Sequence, residues 1–152
     1  MKKKVMHIVQ SPGGVERYIR SLLSNIDLNK IDNILVCSHE YTKEHYSNLV
    51  TSFEYVDMIR NIDFKSDLRA IIKIRKLIKK YNPDIIYMHS SKAGAIGRIA
   101  NIGIKNKSIY NPHGWAFNMN CSNKKKLIYR YIEKILALFV DEIIAISDFE
   151  KE

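Results

Sequence analysis

The segment KKVMHIVQSPGGVERYIRSLL, residues 3–23, joins a short apolar run to a helical pattern through two adjacent glycines. The run Lys3–Val9 predicts a buried strand. Val15–Ile26 predicts a helix, because its apolar residues recur on one face with a 3.6-residue period. Gly13 and Gly14 either make the turn tight or leave room for a ligand, and the N–H groups at a helix start favour a phosphate. Neither G-x-G-x-x-G nor a P-loop pattern occurs in the segment, so both alternatives stay open.

The same change from apolar run to helical pattern recurs along the whole chain. Most of these runs are continuous rather than alternating, which is typical of a parallel sheet covered on both faces. The predicted fold class is therefore α/β, a Rossmann-like doubly wound parallel sheet flanked by helices. Further strands are predicted at Ile34–Ser38, Phe53–Met58, Asp84–Met88, Ser108–Asn111 and Asp141–Ile146. Further helices are predicted at Lys43–Val50, Ser66–Tyr81 (with Ser66 as N-cap), Ala93–Ile102 and Lys124–Phe139.

Length and composition restrict the class of protein. The chain has 152 residues, of which 46% are apolar and 27% charged, which suits one globular domain. No apolar run approaches the roughly 20 residues that span a bilayer, and the start of the chain does not resemble a signal peptide. We therefore expect a cytoplasmic protein. Cys37 and Cys121 lack a C-x-x-C partner, so neither a zinc site nor any other metal site is expected.

The chain is strongly basic, with a formal net charge of +9. Such a surface attracts nucleic acid, anionic lipid or phosphorylated substrates. One predicted helix carries a basic stripe and another opens with three lysines. These residues form either a solvated face or a surface that docks on acidic lipids. The stripe comprises Arg69, Lys73, Lys76 and Lys80, and the lysine run comprises Lys124, Lys125 and Lys126.

Small and polar residues follow several predicted strands, at the edge where a doubly wound fold binds its ligands. Two strand ends carry most of them, which favours a polar cleft. His113 could hydrogen-bond a sugar hydroxyl or move a proton, or it could be a structural loop histidine. The first of these ends comprises His89, Ser90, Ser91 and Lys92, and the second comprises His113, Gly114 and Trp115.

Four stretches in this order resemble the N-terminal domain of retaining GT-B glycosyltransferases of family 4. The resemblance covers nearly all of the 152 residues. The stretches are SPGGVERYIRSLL (11–23), DIIYMHSSKAGAIGRIAN (84–101), NPHGWAFN (111–118) and DEIIAISDFEKE (141–152).

The resemblance implies one half of a two-domain enzyme in bacterial-type cell-surface polysaccharide or glycolipid synthesis. Residues 1–146 would form the acceptor-side domain, and 147–152, with a capping box at Ser147 and Glu150, would begin the linker or next element. The donor-binding domain would be absent from this chain, which alone would be inactive. The resemblance also implies no cofactor beyond the nucleotide-sugar substrate, a sugar or lipid-linked acceptor, and a peripheral position at the inner membrane face.

The resemblance also assigns roles to individual residues. Gly13 and Gly14 would approach the donor diphosphate, and His113 would contact the transferred sugar as the catalytic residue. The acceptor and sugar would occupy the cleft beside the two polar strand ends, and the basic helices would dock on an anionic membrane. Nucleic acid is not expected as a partner.

The principal alternative is a flavodoxin-like, non-enzymatic binding or regulatory domain. That class carries an acidic or cofactor-binding loop after its first strand, and the sequence HIVQS at 7–11 has no acid. An epimerase or an inverting transferase on the same fold is a further alternative. A nucleic-acid binder is supported only by the net charge.

Overall fold

A computed structural model describes residues 1–148 of the chain as a six-stranded parallel sheet with helices on both faces. This confirms the predicted Rossmann-like fold. The strands are β1 (Lys3–Val9), β2 (Ile31–Cys37), β3 (Ser52–Tyr55), β4 (Ile85–His89), β5 (Lys107–Asn111) and β6 (Glu142–Ile143). The helices are α1 (Gly14–Ser24), α2 (Phe64–Tyr81), α3 (Ser91–Asn101) and α4 (Asn123–Leu136).

The strand order β3-β2-β1-β4-β5-β6 puts β1 in the middle of the sheet. Val5 pairs with Asn33 on one side and with Ile85 on the other. The chain moves outward from β1 to β3, returns through α2, and continues from β4 in the opposite direction. Ligands of open α/β sheets bind outside the carboxyl ends of the strands at such a reversal, and here it falls between β1 and β4.

Two apolar clusters hold the helices to the sheet. Because side chains of a strand alternate between its faces, Met6 and Ile8 of β1 pack in the cluster that includes α2 and α3, whereas Val9 packs in the other. Ile19 and Leu23 of α1 fill this second cluster. Both faces are therefore apolar, which explains the continuous apolar runs of the central strands.

The two glycines of α3 allow that helix to lie close on the sheet. A Cβ atom at Gly94 would overlap the ring of Tyr110, and one at Gly97 would lie 2.7 Å from Met88. Glycine at these positions therefore serves packing.

The start of α2 differs from the prediction. The helix begins at Phe64, and its N-cap is Asp63 rather than Ser66. The carboxylate of Asp63 accepts from the backbone N–H of Ser66 at 2.7 Å, so Ser66 is the third residue of the helix. The helix ends after Tyr81, as predicted, with Asn82 in the left-handed conformation.

Three weaker elements are shorter than predicted, the first being β3, which ends at Tyr55 rather than Met58. Only Lys43–Tyr46, a 3₁₀ turn, forms where a helix to Val50 was expected. The edge strand β6 comprises two exposed residues rather than six. The capping box that includes Glu150 lies outside the described residues. Among the helices of residues 1–148, none combines the length and apolarity that crossing a membrane requires.

We expect Gly94→Ala to lower the free energy of unfolding by about 1–3 kcal/mol, because the new methyl group must displace the Tyr110 ring. Urea denaturation measures this change. Gly14→Ala is the matched control, since a Cβ there meets no atom of the described part of the chain within 4 Å. Equal stabilities for the two variants would contradict the packing role of Gly94.

Candidate functional site

A cleft of about 580 Å³ opens at the carboxyl ends of β1, β4 and β5. The start of α2 and one face of α4 form its side walls. Six of its polar residues were not anticipated from the sequence, because nothing local marks them as neighbours; they are Gln10, Arg60, Asn61, Asp67, Tyr129 and Glu133. The other polar lining residues are Ser11, Ser90, Ser91, Lys92 and His113.

Among residues 1–148, no protein atom fills the glycine turn that starts α1. Gly13 has φ +110°, a conformation that favours glycine, and a Cβ at Gly13 or Gly14 would meet no atom of these residues within 4 Å. Gly14 lines a second cavity together with Tyr18 and His113. Helix packing therefore does not require glycine at 14, whereas the backbone conformation does at 13.

The loop after β5 fixes the position of His113. The side-chain oxygen of Asn111 accepts from the backbone N–H of His113 at 3.1 Å. His113 has φ +50° and the following Gly114 has φ +104°, so the chain turns sharply at the mouth of the cleft. The turn leaves His113 lining both cavities.

Trp115 does not line either cavity of the described residues. Its ring meets Tyr110 edge-on and stacks on Phe117, and it packs against the main apolar cluster. We predicted this residue in the cleft; the structure instead makes it an anchor of the loop.

We predicted His89 in the cleft, but the structure buries it fully beneath His113. It therefore supports the floor of the cleft and does not line it. Its Nδ1 is 3.2 Å from Nε2 of His113, and its Nε2 is 3.5 Å from Nδ1 of His7. Burial lowers the pKa of His89 well below its ordinary value and lowers that of His7 to about 4. Both rings are therefore neutral at pH 7.

Aromatic side chains enclose this group of histidines. The ring of Tyr18, one turn into α1, meets His113 edge-on with centroids 4.7 Å apart. The hydroxyls of Tyr18 and Tyr87 lie 2.8 Å apart. The glycine turn thus sets the start of a helix whose first aromatic ring, the half-buried Tyr18, packs against the predicted catalytic histidine.

Ser90 occupies a strained position at the end of β4. Its φ is +75°, a region that side chains other than glycine rarely adopt. Its backbone N–H donates to the carbonyl of Asn111 at 2.9 Å. Among residues 1–148, its buried hydroxyl has no hydrogen-bond partner, although it lines the cleft. Strain and an unpaired hydroxyl in one residue are typical of a ligand site.

The charge of Lys92 is used within the protein. Its ammonium donates to the carboxylate of Asp67 at 2.7 Å and to the carbonyl of Asn61 at 2.8 Å. This pair ties the start of α3 to the start of α2. Lys92 lines the cleft, and the other cationic lining residue among residues 1–148, Arg60, is exposed.

A buried ion pair holds α4 against the cleft. Arg98 is fully buried, and its guanidinium donates to Glu133 at 2.7 Å. The hydroxyl of Tyr110 donates to the other oxygen of the same carboxylate at 2.9 Å, and Arg98 lies over the Tyr110 ring. Arg98 therefore serves the structure and does not reach a ligand.

The cleft residues of the described chain can interact with a ligand through hydrogen bonds and charge. Within residues 1–148, no three histidine, cysteine, aspartate or glutamate side chains form a group that could hold a metal ion. Burial raises the pKa of the Cys37 thiol to about 12, so this thiol is unreactive at neutral pH.

A parallel sheet of this order, with glycine, serine and histidine loops around its switch point, defines a Rossmann-like ligand-binding domain. The family model described as Glycosyltransferase Family 4 matches residues 12–152. The chain therefore belongs to glycosyltransferase family 4. This membership favours the glycosyltransferase interpretation over the flavodoxin-like binding domain.

Two curated relatives cover nearly all of the chain. It is 40% identical over 153 residues to an uncharacterized 41.2 kDa protein in the cps region of Klebsiella pneumoniae, covering 96% of this chain and 40% of that protein. It is 29% identical over 155 residues to the Escherichia coli UDP-Gal:alpha-D-GlcNAc-diphosphoundecaprenol alpha-1,3-galactosyltransferase, covering 99% of this chain and 40% of that enzyme. The chain thus spans about two fifths of the length of these relatives.

A solved structure has the same fold. The glycosyltransferase from Rickettsia africae superposes with a TM-score of 0.73 at 22% identity, over 99% of this chain and 38% of that one.

We expect Arg98→Met to cost about 3–5 kcal/mol of stability, because it leaves the buried carboxylate of Glu133 without its cation. The double variant Arg98→Met/Glu133→Leu should recover most of this loss, since no buried charge remains. Urea denaturation of both variants, with the exposed Lys134→Met as control, measures the difference. A loss below about 1 kcal/mol in the single variant would contradict the role of the pair.

Proposed function

We propose that this chain is the acceptor-side domain of a two-domain enzyme that transfers a sugar, with retention, from a nucleotide diphosphate sugar to a sugar or lipid-linked acceptor. The observation that carries the proposal is the family match over residues 12–152 on a fold whose cleft contains the glycine turn and His113. The E. coli relative is named for transfer to a GlcNAc-diphosphoundecaprenol. This supports a product class of bacterial cell-surface polysaccharide or glycolipid.

The donor diphosphate is proposed to approach the glycine turn. The open space at Gly13 and Gly14 and the N–H groups at the start of α1 suit an anion there. His113 lines the same cavity as Gly14, so it lies where the transferred sugar would stand if the diphosphate bound this turn. The acceptor is assigned to the cleft at the ends of β1, β4 and β5, where the guanidinium of Arg60 offers a charge and the hydroxyl of Ser90, which has no partner among residues 1–148, offers a donor.

The chemical demand of the transfer is stabilisation of charge. Cleavage of the glycosidic bond to the diphosphate leaves positive charge on the sugar ring and negative charge on the departing phosphate. The helix start at Gly14 supplies partial positive charge without a titrating group. No metal and no cofactor is required in this proposal. The domain alone is expected to be inactive, since the donor-binding half is to come from elsewhere in the enzyme.

We further propose a cytoplasmic enzyme that lies peripherally on an anionic inner membrane face. Arg69, Lys73 and Lys76 are exposed on α2, and Lys124 and Lys125 are exposed on α4. Lys126 is half-buried, and the charge of Lys80 is offset by Glu54 at 2.8 Å. Apolar side chains are exposed beside these cations, as a helix lying on a lipid surface would require; they are Phe64, Leu68, Leu127, Ile128 and Tyr131.

His113→Ala in the full-length enzyme should lower turnover about 10- to 100-fold, the effect of losing one hydrogen bond of about 1.5–3 kcal/mol in the transition state. The assay follows transfer from a panel of nucleotide diphosphate sugars to a polyprenyl-diphosphate sugar. His45→Ala, an exposed histidine on the 3₁₀ turn, is the control. Absence of transfer by the parent enzyme would refute the proposed function, whereas equal rates for parent and His113→Ala would refute only the role of His113.

Lys124→Glu/Lys125→Glu/Lys126→Glu should weaken binding to vesicles that contain phosphatidylglycerol. Each basic residue near such a surface contributes about 1 kcal/mol, so removal of three predicts a loss of roughly 100-fold or more in partitioning. Co-sedimentation measures it, with phosphatidylcholine vesicles as the neutral reference. A variant with the same charge change elsewhere, Lys30→Glu/Lys43→Glu/Lys105→Glu, should bind more tightly than the first. Parent binding that is independent of anionic lipid would exclude the docking surface.

A further inference from the structure

The glycine turn between β1 and α1 is held from outside, by residues that follow β2 and β3 in the sequence. The carbonyl of Ser11 accepts from the hydroxyl of Tyr41 at 2.8 Å, across 30 residues. The side-chain amide of Gln10 donates to the carbonyl of Met58 at 3.1 Å, across 48 residues. Two hydrogen bonds from distant segments therefore fix the chain where it leaves β1 and enters the turn.

The turn itself supplies little that would select its conformation. Gly13 has φ +110°, and no side chain of residues 1–148 caps the start of α1. Glycine adopts more backbone conformations than any other residue. Packing does not restrict the pair, because a Cβ at either glycine would meet no atom of the described residues within 4 Å. The bonds to the preceding residues are therefore what restrains the backbone on the strand side.

Tyr41 is itself held firmly. Its side chain is 2% exposed and packs in the apolar cluster that contains Ile19 of α1. Its backbone carbonyl accepts from the hydroxyl of Tyr55 at 3.1 Å, and its N–H donates to the carbonyl of Ser38 at 3.3 Å. Burial raises the pKa of the Tyr41 hydroxyl above its ordinary value, so the hydroxyl stays protonated and remains a donor at neutral pH.

The bond from Tyr41 acts on the peptide group that leads into the glycines. The carbonyl of Ser11 belongs to the peptide bond with Pro12, and the proline ring fixes the next φ near −65°. With the carbonyl oriented by Tyr41 and this φ fixed by the ring, Gly13 is the first residue of the turn with wide conformational freedom. One hydroxyl thus sets the direction in which the chain approaches α1.

We propose that Tyr41 is a positioning residue of the glycine turn. Its hydroxyl orients the peptide between Ser11 and Pro12 and so keeps the N–H groups at the start of α1 in one arrangement before a ligand arrives. Tyr55 supports this role through the backbone of Tyr41. Neither tyrosine lines the two cavities described above, so both act through the turn and not by contact with a ligand.

The consequence for the reaction rests on the proposed function. If the donor diphosphate binds the N–H groups at the start of α1, a turn that already has its bound conformation avoids the entropy cost of ordering two glycines on binding. Loosening the turn should therefore weaken binding of the donor. Binding of the acceptor should change little, since it is assigned to Arg60 and the loop after β4.

The first test observes the turn without any substrate. Proton–nitrogen correlation spectra and ¹⁵N relaxation dispersion of the 152-residue chain report conformational exchange at the amides of Gly13 and Gly14. The parent should show one narrow signal for each glycine. Tyr41→Phe retains the ring and removes only the hydroxyl, and it should broaden or split both signals. Unchanged glycine signals in folded Tyr41→Phe would overturn the proposal.

A matched control uses the same substitution on the other face of the sheet. The hydroxyl of Tyr81 donates to the carboxylate of Glu54 at 2.6 Å, and its ring packs against the cluster that contains α2 and α3. Tyr81→Phe removes one tyrosine hydroxyl bond, as Tyr41→Phe does, and should leave the signals of Gly13 and Gly14 unchanged. Equal broadening in both variants would show a general loss of stability and overturn the proposal.

A rescue variant separates the hydrogen bond from packing. Tyr41→p-aminophenylalanine restores an N–H donor at the place of the hydroxyl and should restore narrow glycine signals. Signals that stay broadened in this variant would assign the effect to packing and contradict the role of the bond. If Tyr41→Phe does not fold, Tyr55→Phe replaces it, because it releases the backbone of Tyr41. Unchanged glycine signals in Tyr55→Phe would then overturn the proposal.

The second test separates donor from acceptor in the full-length enzyme. Loss of one hydrogen bond between neutral groups predicts a rise of about 2- to 10-fold in the KM for the nucleotide diphosphate sugar in Tyr41→Phe. The KM for the acceptor should stay the same. A donor KM equal to that of the parent, or equal rises for both substrates, would contradict the positioning role. Absence of transfer by the parent enzyme would refute the proposed function, while the spectra of the turn would still decide the role of Tyr41.

Discussion

The Arg98–Glu133 ion pair is the interaction on which the shape of the cleft depends. A guanidinium with no exposed surface is stable only if its charge is offset by a buried partner. Glu133 provides the offset from α4, and Tyr110 binds the same carboxylate from β5. One carboxylate therefore joins α3, α4 and the sheet. Because α4 forms a wall of the cleft, the position of that wall relative to the strand ends is set by this buried charge.

The sequence predicted the order of elements well because that order follows from local periodicity. Lys3–Val9 was placed correctly, since a continuous apolar run between polar flanks has few alternatives. The sequence predicted Ser66 as the N-cap of α2, whereas the structure has Asp63. Both residue types cap helices, and the choice between them depends on the backbone conformation of the preceding loop. The weak helical periodicity that starts at Lys43 corresponds to a 3₁₀ turn of four residues in the structure. This short turn already buries Tyr46, so a longer helix is not needed there.

The site was only partly predictable, for a physical reason. The loops that follow β1, β4 and β5 could be found, because parallel strands bring their carboxyl ends together. The partners of the charged groups could not. Lys92 meets Asp67 across 25 residues and Arg98 meets Glu133 across 35, and no periodicity connects such distant positions. The sequence therefore could not distinguish the charged residues that stabilise the fold, Lys92 and Arg98, from Arg60, which is exposed at the cleft.

The central position of β1 has a consequence for synthesis of the chain. Its partner on one side, β4, lies about 80 residues further along, since Val5 pairs with Ile85. At a translation rate of about 5–20 residues per second, one edge of this central strand waits roughly 4–16 s before its partner leaves the ribosome. During that interval β1, β2 and β3 form at most an open three-stranded unit with an unsatisfied edge. The nascent chain therefore passes through a state that chaperone binding would protect, and the second half of the sheet closes it.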